Sequence, residues 1–218
     1  MINISGGCMK TFLASIGLLI TLIIPAVAFA EFDEGIEYRL LSNQPPVAKD
    51  KPVEVTEFFW YGCPHCYQFE PFIKKWLEGK PADVKFVKVP ATFNKPAKFH
   101  AYVFYALDLM GEADRLMDVI FEAMHKKGNR LADQKAVEAL LADNGVDITN
   151  FRKAMKSFNV DSKVKRATDQ FRKYGLRGVP SMAVSGRFVS NEVKNYQELI
   201  KVTDHMIQLA RDEQQKSD

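Results

Sequence analysis

At 218 residues and 47% apolar composition, the chain can close a sizeable core and is too apolar for a disordered polymer. Its formal net charge of +3 comes from 30 basic and 27 acidic residues scattered along the length. That balance argues against nucleic acid or an anionic membrane surface as partner. The three cysteines, Cys8, Cys63 and Cys66, are too few for a disulfide-stapled mini-protein.

Lys10 precedes an apolar run from Phe12 to Phe29 that ends in Ala28-Phe29-Ala30, with acidic Glu31 next. This is the plan of a secretory signal peptide over residues 1–30, with cleavage after Ala30. An uncleaved anchor is the competing reading, because the run approaches spanning length. Pro25 and the Ala-x-Ala site favour cleavage and export to the periplasm, where a disulfide persists. Met9 is an alternative start that would remove Cys8. A lipid-anchor cysteine would follow the apolar run rather than precede it, so Cys8 is assigned no role.

Residues 36–41 alternate apolar and charged, as a half-wet strand does. Residues 42–52 carry Pro45, Pro46 and Pro52 and read as a loop. A β-rich run over 53–60 leads into Gly62-Cys63-Pro64-His65-Cys66, after which Tyr67, Phe69, Phe72, Ile73, Trp76 and Leu77 recur at helical spacing. Pro64 suits the first helical position, Pro71 predicts a kink, and Gly79-Lys80-Pro81 ends the helix. Residues 84–89 form a second strand closed by Pro90. Strand, helix and strand make a parallel pair with a right-handed crossover. The cysteines then lie where the first strand feeds the helix.

Glu57 shares a face with Val53, Val55 and Phe59, and Lys88 shares one with Val84 and Phe86. Two readings stay open. Buried on central strands, the two charges need each other or a proton-transfer task; at the sheet's end, they are solvated.

Residues 95–175 read as a block of helices. Phe99, Val103, Ala106 and Met110 mark the first, stopped by Gly111; Leu116, Ile120, Phe121 and Met124 mark the second, ended near Gly128. Val137, Leu140 and Leu141 mark a third between Asp133 as N-cap and Asn144-Gly145 as stop. Thr149 caps a fourth carrying Phe151, Met155 and Phe158, and Asp161 or Ser162 caps a fifth that ends at Gly175. Residues 181–184 and 187–190 then flank Ser185-Gly186 as a hairpin. A final helix carries Tyr196, Leu199, Ile200, Thr203, Ile207 and Ala210, with Asn195 as cap, Glu198 at the reciprocal position and a frayed tail after Arg211. Pro180 marks a strand start or a turn, and the sequence does not choose cis over trans for it. The whole is an α/β fold in which a helical subdomain at 95–175 interrupts a domain formed by 31–94 and 176–218.

The chemistry rests on Cys63 and Cys66 at a helix start. The helix N-terminus offers unpaired N–H groups and partial positive charge, which favour a thiolate on Cys63; His65, when protonated, adds to this. A stable thiolate means a stable reduced form, hence a strongly oxidising disulfide. Cys63 is then the exposed sulfur attacked by a substrate thiolate, Cys66 the buried sulfur released first, and His65 the tuner of the potential. Zinc would need further ligands, but there is no second cysteine pair, and His100, His125 and His205 fall in separate helices. Haem attachment would need histidine where Tyr67 stands. A structural bridge closing so small a loop would stabilise little. No metal and no cofactor beyond the Cys63–Cys66 disulfide is expected.

The stretch Glu57-Phe58-Phe59-Trp60-Tyr61-Gly62-Cys63-Pro64-His65-Cys66-Tyr67-Gln68-Phe69-Glu70, with Leu176-Arg177-Gly178-Val179-Pro180-Ser181-Met182, resembles the DsbA family of periplasmic thiol:disulfide oxidases. The resemblance covers essentially the whole chain from residue 31, and the helical block matches the family's insertion. It implies a thioredoxin-like fold and catalysis by Cys63, Pro64, His65 and Cys66. It also implies a cis Pro180 that helps Val179 hold the substrate chain. Glu57 would lie beneath the disulfide and assist proton transfer, with Glu70 and Lys88 as its charged neighbours. The implied partners are reduced exported proteins and a DsbB-type membrane quinone reductase that restores the disulfide; the enzyme is expected to act as a monomer. Trp60-Tyr61-Gly62 occupy positions that vary in the family and bear on substrate or partner preference. Two alternatives stay open: a periplasmic reductase or isomerase using the same motif, and a peptide-binding chaperone-like module that would tolerate Cys63→Ser.

Overall fold

Val53, Val55, Phe58 and Phe59 are all fully or almost fully buried, as befits a strand with neighbours on both sides. The structure, a computed structural model, describes residues 1–3 and 32–216; the signal-peptide reading rests on residues 4–31, and both it and Cys8 lie outside the described residues. In chain order the elements are β1 (Tyr38–Leu40), β2 (Val53–Phe59), α1 (Pro64–Glu78), β3 (Val84–Pro90), α2 (Lys95–Leu109), α3 (Ala113–His125), α4 (Gln134–Asp143), α5 (Ile148–Met155), α6 (Phe158–Lys173), β4 (Ser181–Val184), β5 (Phe188–Ser190) and α7 (Tyr196–Lys216). The sheet order is β1-β5-β4-β2-β3, with β2 parallel to β3 and antiparallel to β4. This is an α/β fold with a helical insertion.

Two cores hold it together. One joins Val53, Val55, Met182 and Val184 of the sheet to Phe69 and Ile73 of α1 and to Val202 and Met206 of α7. The other joins Phe58 and Phe59 to the helical block through Phe104, Leu116, Phe121, Phe151 and Val164. Phe59 meets Phe104 edge-on at 5.2 Å, and Tyr61 meets Phe121 at 5.5 Å. Such ring pairs add about 0.5–1.5 kcal/mol each beyond area burial, so the insertion is fastened where β2 ends. Among the described residues no helix is long and apolar enough to cross a membrane.

Local chemistry accounts for most boundaries. Asp133 and Asn195 cap α4 and α7 by accepting from the N–H groups of Ala136 and Glu198, each at 2.9 Å. Glu198 reaches back to the N–H of Lys194, one residue before the position a standard capping box uses. Ser185 and Gly186 both have positive φ, the geometry a two-residue hairpin of this twist requires.

Several expectations are corrected. β1 begins at Tyr38, because positive-φ Gly35 opens a turn that takes up residues 36 and 37. β5 begins at Phe188, since Arg187 closes the hairpin on Val184. α1, by contrast, ends where the sequence predicts, at Glu78 with Gly79 as C-cap and with solvent-facing Pro71 inside it. α5 is capped by Asp147, which accepts from Asn150 N at 3.0 Å, and not by Thr149, which lies inside the helix. α6 is capped by Ser157; Asp161 sits in its first turn and accepts from the Tyr102 hydroxyl at 2.7 Å. Phe158 opens α6 and is exposed. The tail after Arg211 stays helical to Lys216, because Arg211 pairs with Asp83, Arg187 with Glu213, and Gln214 with the carbonyl of Ala48.

Candidate active site

β2 ends at Phe59, and Trp60-Tyr61-Gly62 turn the chain into α1. Cys63 is the N-cap residue of α1 with extended backbone, and Pro64 takes the first helical position, where no N–H is needed. The Cys63 N–H donates to Trp60 O at 2.9 Å, and the Cys63 carbonyl accepts from Tyr67 N at 3.1 Å. Gly62 is dictated by contact: a Cβ there would lie 2.4 Å from a ring carbon of Trp60.

Both cysteines are free thiols. The Cys63 pKa is drawn down from 9.0 to about 6, chiefly by the hydrogen bond from Cys66; partial burial opposes this, and the amides of Cys66 and His65 and the charge of His65 add to it. Cys66 moves the other way, well above 9.0, because of burial first and then its hydrogen bond to Cys63 and the charges of Cys63 and Glu57. The sequence points to the helix terminus and His65 as the source of the acidic thiol; the structure puts the partner cysteine first. It also covers Cys63, which is 7% exposed and not open as expected. The cover is the loop before β4: Cys63 Sγ lies 3.4 Å from Val179 O, and the Val179–Pro180 bond is cis.

His65 is exposed, with Nδ1 3.0 Å from the Tyr196 hydroxyl. Tyr196 in turn donates to Gln68 Oε1 at 2.9 Å, which leaves its oxygen to accept from His65. Burial, then the charges of Cys63 and Cys66, raise the Tyr196 pKa. Tyr196 reads in the sequence only as one apolar position of the last helix. Nothing local signals that the start of α7 meets the start of α1.

Of the two readings for Glu57 and Lys88, the structure holds the pairing. Glu57 is fully buried, Lys88 Nζ lies 2.6 Å from Glu57 Oε2, and the same ammonium bonds Glu70 Oε1. Register explains this: Glu57 and Lys88 are direct partners across β2 and β3. Burial raises the Glu57 pKa; Lys88 opposes this rise and Glu70 adds to it. Burial alone would lower Lys88, but the charges of Glu57 and Glu70 outweigh it and hold the pKa at about 12. Glu57 Oε1 and the Tyr61 hydroxyl are buried without a protein hydrogen-bond partner.

Two histidines of the helical block reach the turn. Trp60 Nε1 donates to His100 Nδ1 at 3.0 Å, and His100 Nε2 donates to Leu131 O at 3.0 Å. His125 Nε2 donates to Tyr61 O at 2.7 Å and its ring stacks on Tyr67. Sequence reasoning considers these histidines only as metal ligands and finds no ligand spacing. Among the described residues no group of three His, Cys, Asp or Glu is arranged to hold a metal ion.

A sequence model of the DSBA-like thioredoxin domain matches residues 54–201. The thiol:disulfide interchange protein DsbA of Pseudomonas syringae pv. tomato is 38% identical over 188 residues, covering 85% of this chain and 88% of that protein. The protein of the same name from Azotobacter vinelandii is 39% identical over 187 residues, covering 85% and 87%. Among solved structures, Pseudomonas aeruginosa DsbA superposes with a TM-score of 0.77 at 37% identity, covering 83% of this chain and 95% of that one. The oxidoreductase DsbA of Xylella fastidiosa superposes with a TM-score of 0.76 at 26% identity, covering 84% and 99%.

Proposed function

This chain belongs to the family of DSBA-like thioredoxin domains, and on that footing we propose that it oxidises cysteine pairs of exported proteins in the periplasm by handing over its own Cys63–Cys66 disulfide. It is a thiol:disulfide oxidoreductase. The observation that carries the direction of transfer is Cys63 as the N-cap residue of α1, where the neighbouring Cys66 thiol and the amides of the first turn lower its pKa. Both features stabilise the reduced enzyme over the oxidised one.

A client thiolate attacks Cys63 Sγ of the oxidised enzyme. The Cys63–Cys66 bond breaks, its electron pair leaves on Cys66 Sγ, and a client–Cys63 mixed disulfide forms. Cys66, whose surroundings favour the neutral thiol, takes up a proton; we assign its delivery to Glu57, whose own pKa is raised by burial, so that it can hold a proton in its neutral form. Lys88 and Glu70 hold Glu57 in position. The second client thiolate then attacks the client sulfur of the mixed disulfide, and Cys63 departs as a stabilised thiolate. The client pair loses two electrons and the enzyme pair gains them. The Val179-Pro180 segment holds the client backbone beside Cys63. His65, bonded to Tyr196, favours the departing charge. The disulfide is the only redox group required, and a DsbB-type quinone-linked membrane partner restores it. The apolar run within residues 1–30 supports export.

The direct test mixes the oxidised protein with a reduced, unfolded test protein and follows disulfide formation. Cys63→Ser is expected to abolish it; full residual activity would remove the catalytic assignment in favour of a peptide-binding module. Equilibration with glutathione separates an oxidase from a reductase, and a potential near that of thioredoxin would favour the reductase.

A further inference from the structure

We propose that His100 is a positioning residue: it locks the Trp60 indole across Gly62 as one wall of the approach to Cys63, and this wall receives a bulky apolar side chain adjacent to the client's cysteine. The inference rests on the oxidase reading above and names a class of client for it.

Hydrogen-bond direction makes the lock specific. His100 is 4% exposed, and its Nε2 proton goes to Leu131 O, so Nδ1 carries a lone pair and must accept. Among the described residues the proton offered to it is that of Trp60 Nε1. Burial lowers the His100 pKa, which keeps the ring in this neutral form. An indole has one donor, and a covered indole N–H without a partner is costly, so the ring stays where His100 is. There it lies over Gly62, the residue before Cys63, closely enough that its atoms fill the space of a side chain.

The wall does not end with Trp60. Phe93 meets the indole edge-on at 5.5 Å and is 48% exposed, and Phe171 lies 5.9 Å beyond it. Single exposed apolar residues are ordinary on protein surfaces. An exposed phenylalanine continuous with a half-buried indole that packs on Gly62, the residue before Cys63, offers an apolar shelf to a client side chain. His125 grips Tyr61 O from α3, so the helical insertion holds the turn at two points while neither histidine touches a sulfur. His100 therefore bears on which client binds, and not on the chemistry of the thiol.

The test uses the full oxidised protein and two reduced two-cysteine peptides that differ only in the residue beside the first cysteine, phenylalanine in one and serine in the other. His100→Leu keeps the bulk but removes the acceptor. It is expected to raise KM for the phenylalanine peptide about tenfold, the low end of what one apolar contact is worth. It should leave kcat and the serine peptide unchanged. In His100→Gln the amide can accept from Trp60 and donate to Leu131, and KM should return to the wild-type value. In a Trp76→Phe background, which leaves Trp60 as the reporter, indole emission should shift to the red with His100→Leu and not with His100→Gln. Phe93→Ser, at an exposed position, should raise KM for the phenylalanine peptide in a folded protein even where His100→Leu folds poorly. Equal losses on both peptides, no effect on either, or no rescue by glutamine would overturn the positioning role. Failure of the wild-type protein to oxidise either peptide would overturn the oxidase reading itself, and this inference with it.

Discussion

The two ends of the first turn of α1 differ more than their separation of three residues would suggest. At the Cys63 end the helix begins, its first amides converge, and the loop carbonyl of Val179 and His65 stand nearby. At the Cys66 end the sulfur has no solvent exposure and feels a buried carboxyl group. One thiol is pushed down to about 6 and the other well above 9.0. The contrast teaches that a strongly oxidising disulfide needs two different thiols: one that rests as an anion and one that rests as an acid and hydrogen-bonds to it.

The strongest way to break this comparison is to remove the buried thiol. Cys66→Ser should end turnover, because Cys63 alone has no disulfide to hand over. Charged beforehand as a Cys63–glutathione mixed disulfide, the variant should exchange onto one client thiol with glutathione as leaving group. With no Cys66 thiolate to reverse that step, the client should stay bound to Cys63 longer. Non-reducing electrophoresis should show the covalent adducts, and their mass identifies the clients. Continued turnover would mean that the two thiols do not act as a pair.

Next in size is Lys88→Met. It strips the shared cation from Glu57 and Glu70, leaving two buried carboxyl groups side by side. Breaking a buried ion pair in this way costs about 3–5 kcal/mol, which a denaturant titration would read. A loss below about 1 kcal/mol, the value of a surface pair, would show that water already reaches the cluster.

The depressed pKa of Cys63 gives a smaller effect with a fixed sign. A group whose folded pKa is lowered stabilises the fold above its unfolded pKa and loses that contribution as pH falls through the folded value. The reduced protein should therefore gain stability over Cys63→Ser as pH rises from about 6 to 9.0, and level off beyond. A flat difference across that window would deny that Cys63 is a preferred thiolate.

The mildest change is His65→Ala. The His65 charge comes last among the causes acting on Cys63, after the Cys66 hydrogen bond, burial and two backbone amides. The Cys63 pKa should rise slightly above about 6 and stay well below 9.0, with a correspondingly less oxidising disulfide. Thiolate absorbance against pH measures it. A rise to near 9.0 would make His65 the principal cause, and an unchanged curve would remove it altogether.

Much of this molecule was legible before any fold was known. The placement of Cys63, Pro64 and Cys66 at a helix start, the Ser185-Gly186 hairpin, and the caps at Asp133 and Asn195 all follow from interactions within a few residues, where residue type and spacing suffice. The misplaced caps at Thr149 and Asp161 show the limit of that logic. Several residues nearby could cap; Asp147 and Ser157 do, at the starts of the helices that bury Phe151 and Val160.

What tertiary structure alone decided is the company the cysteines keep. Glu57 and Lys88 are 31 residues apart, and their alternation along two strands left pairing and solvation equally open until strand register set one against the other. His65 and Tyr196 are 131 residues apart, and Trp60 and His100 are 40 apart on different layers. Contacts of that range depend on which strand edges and helix ends the whole chain brings together. No local preference encodes them, because each pays off only after two cores have closed.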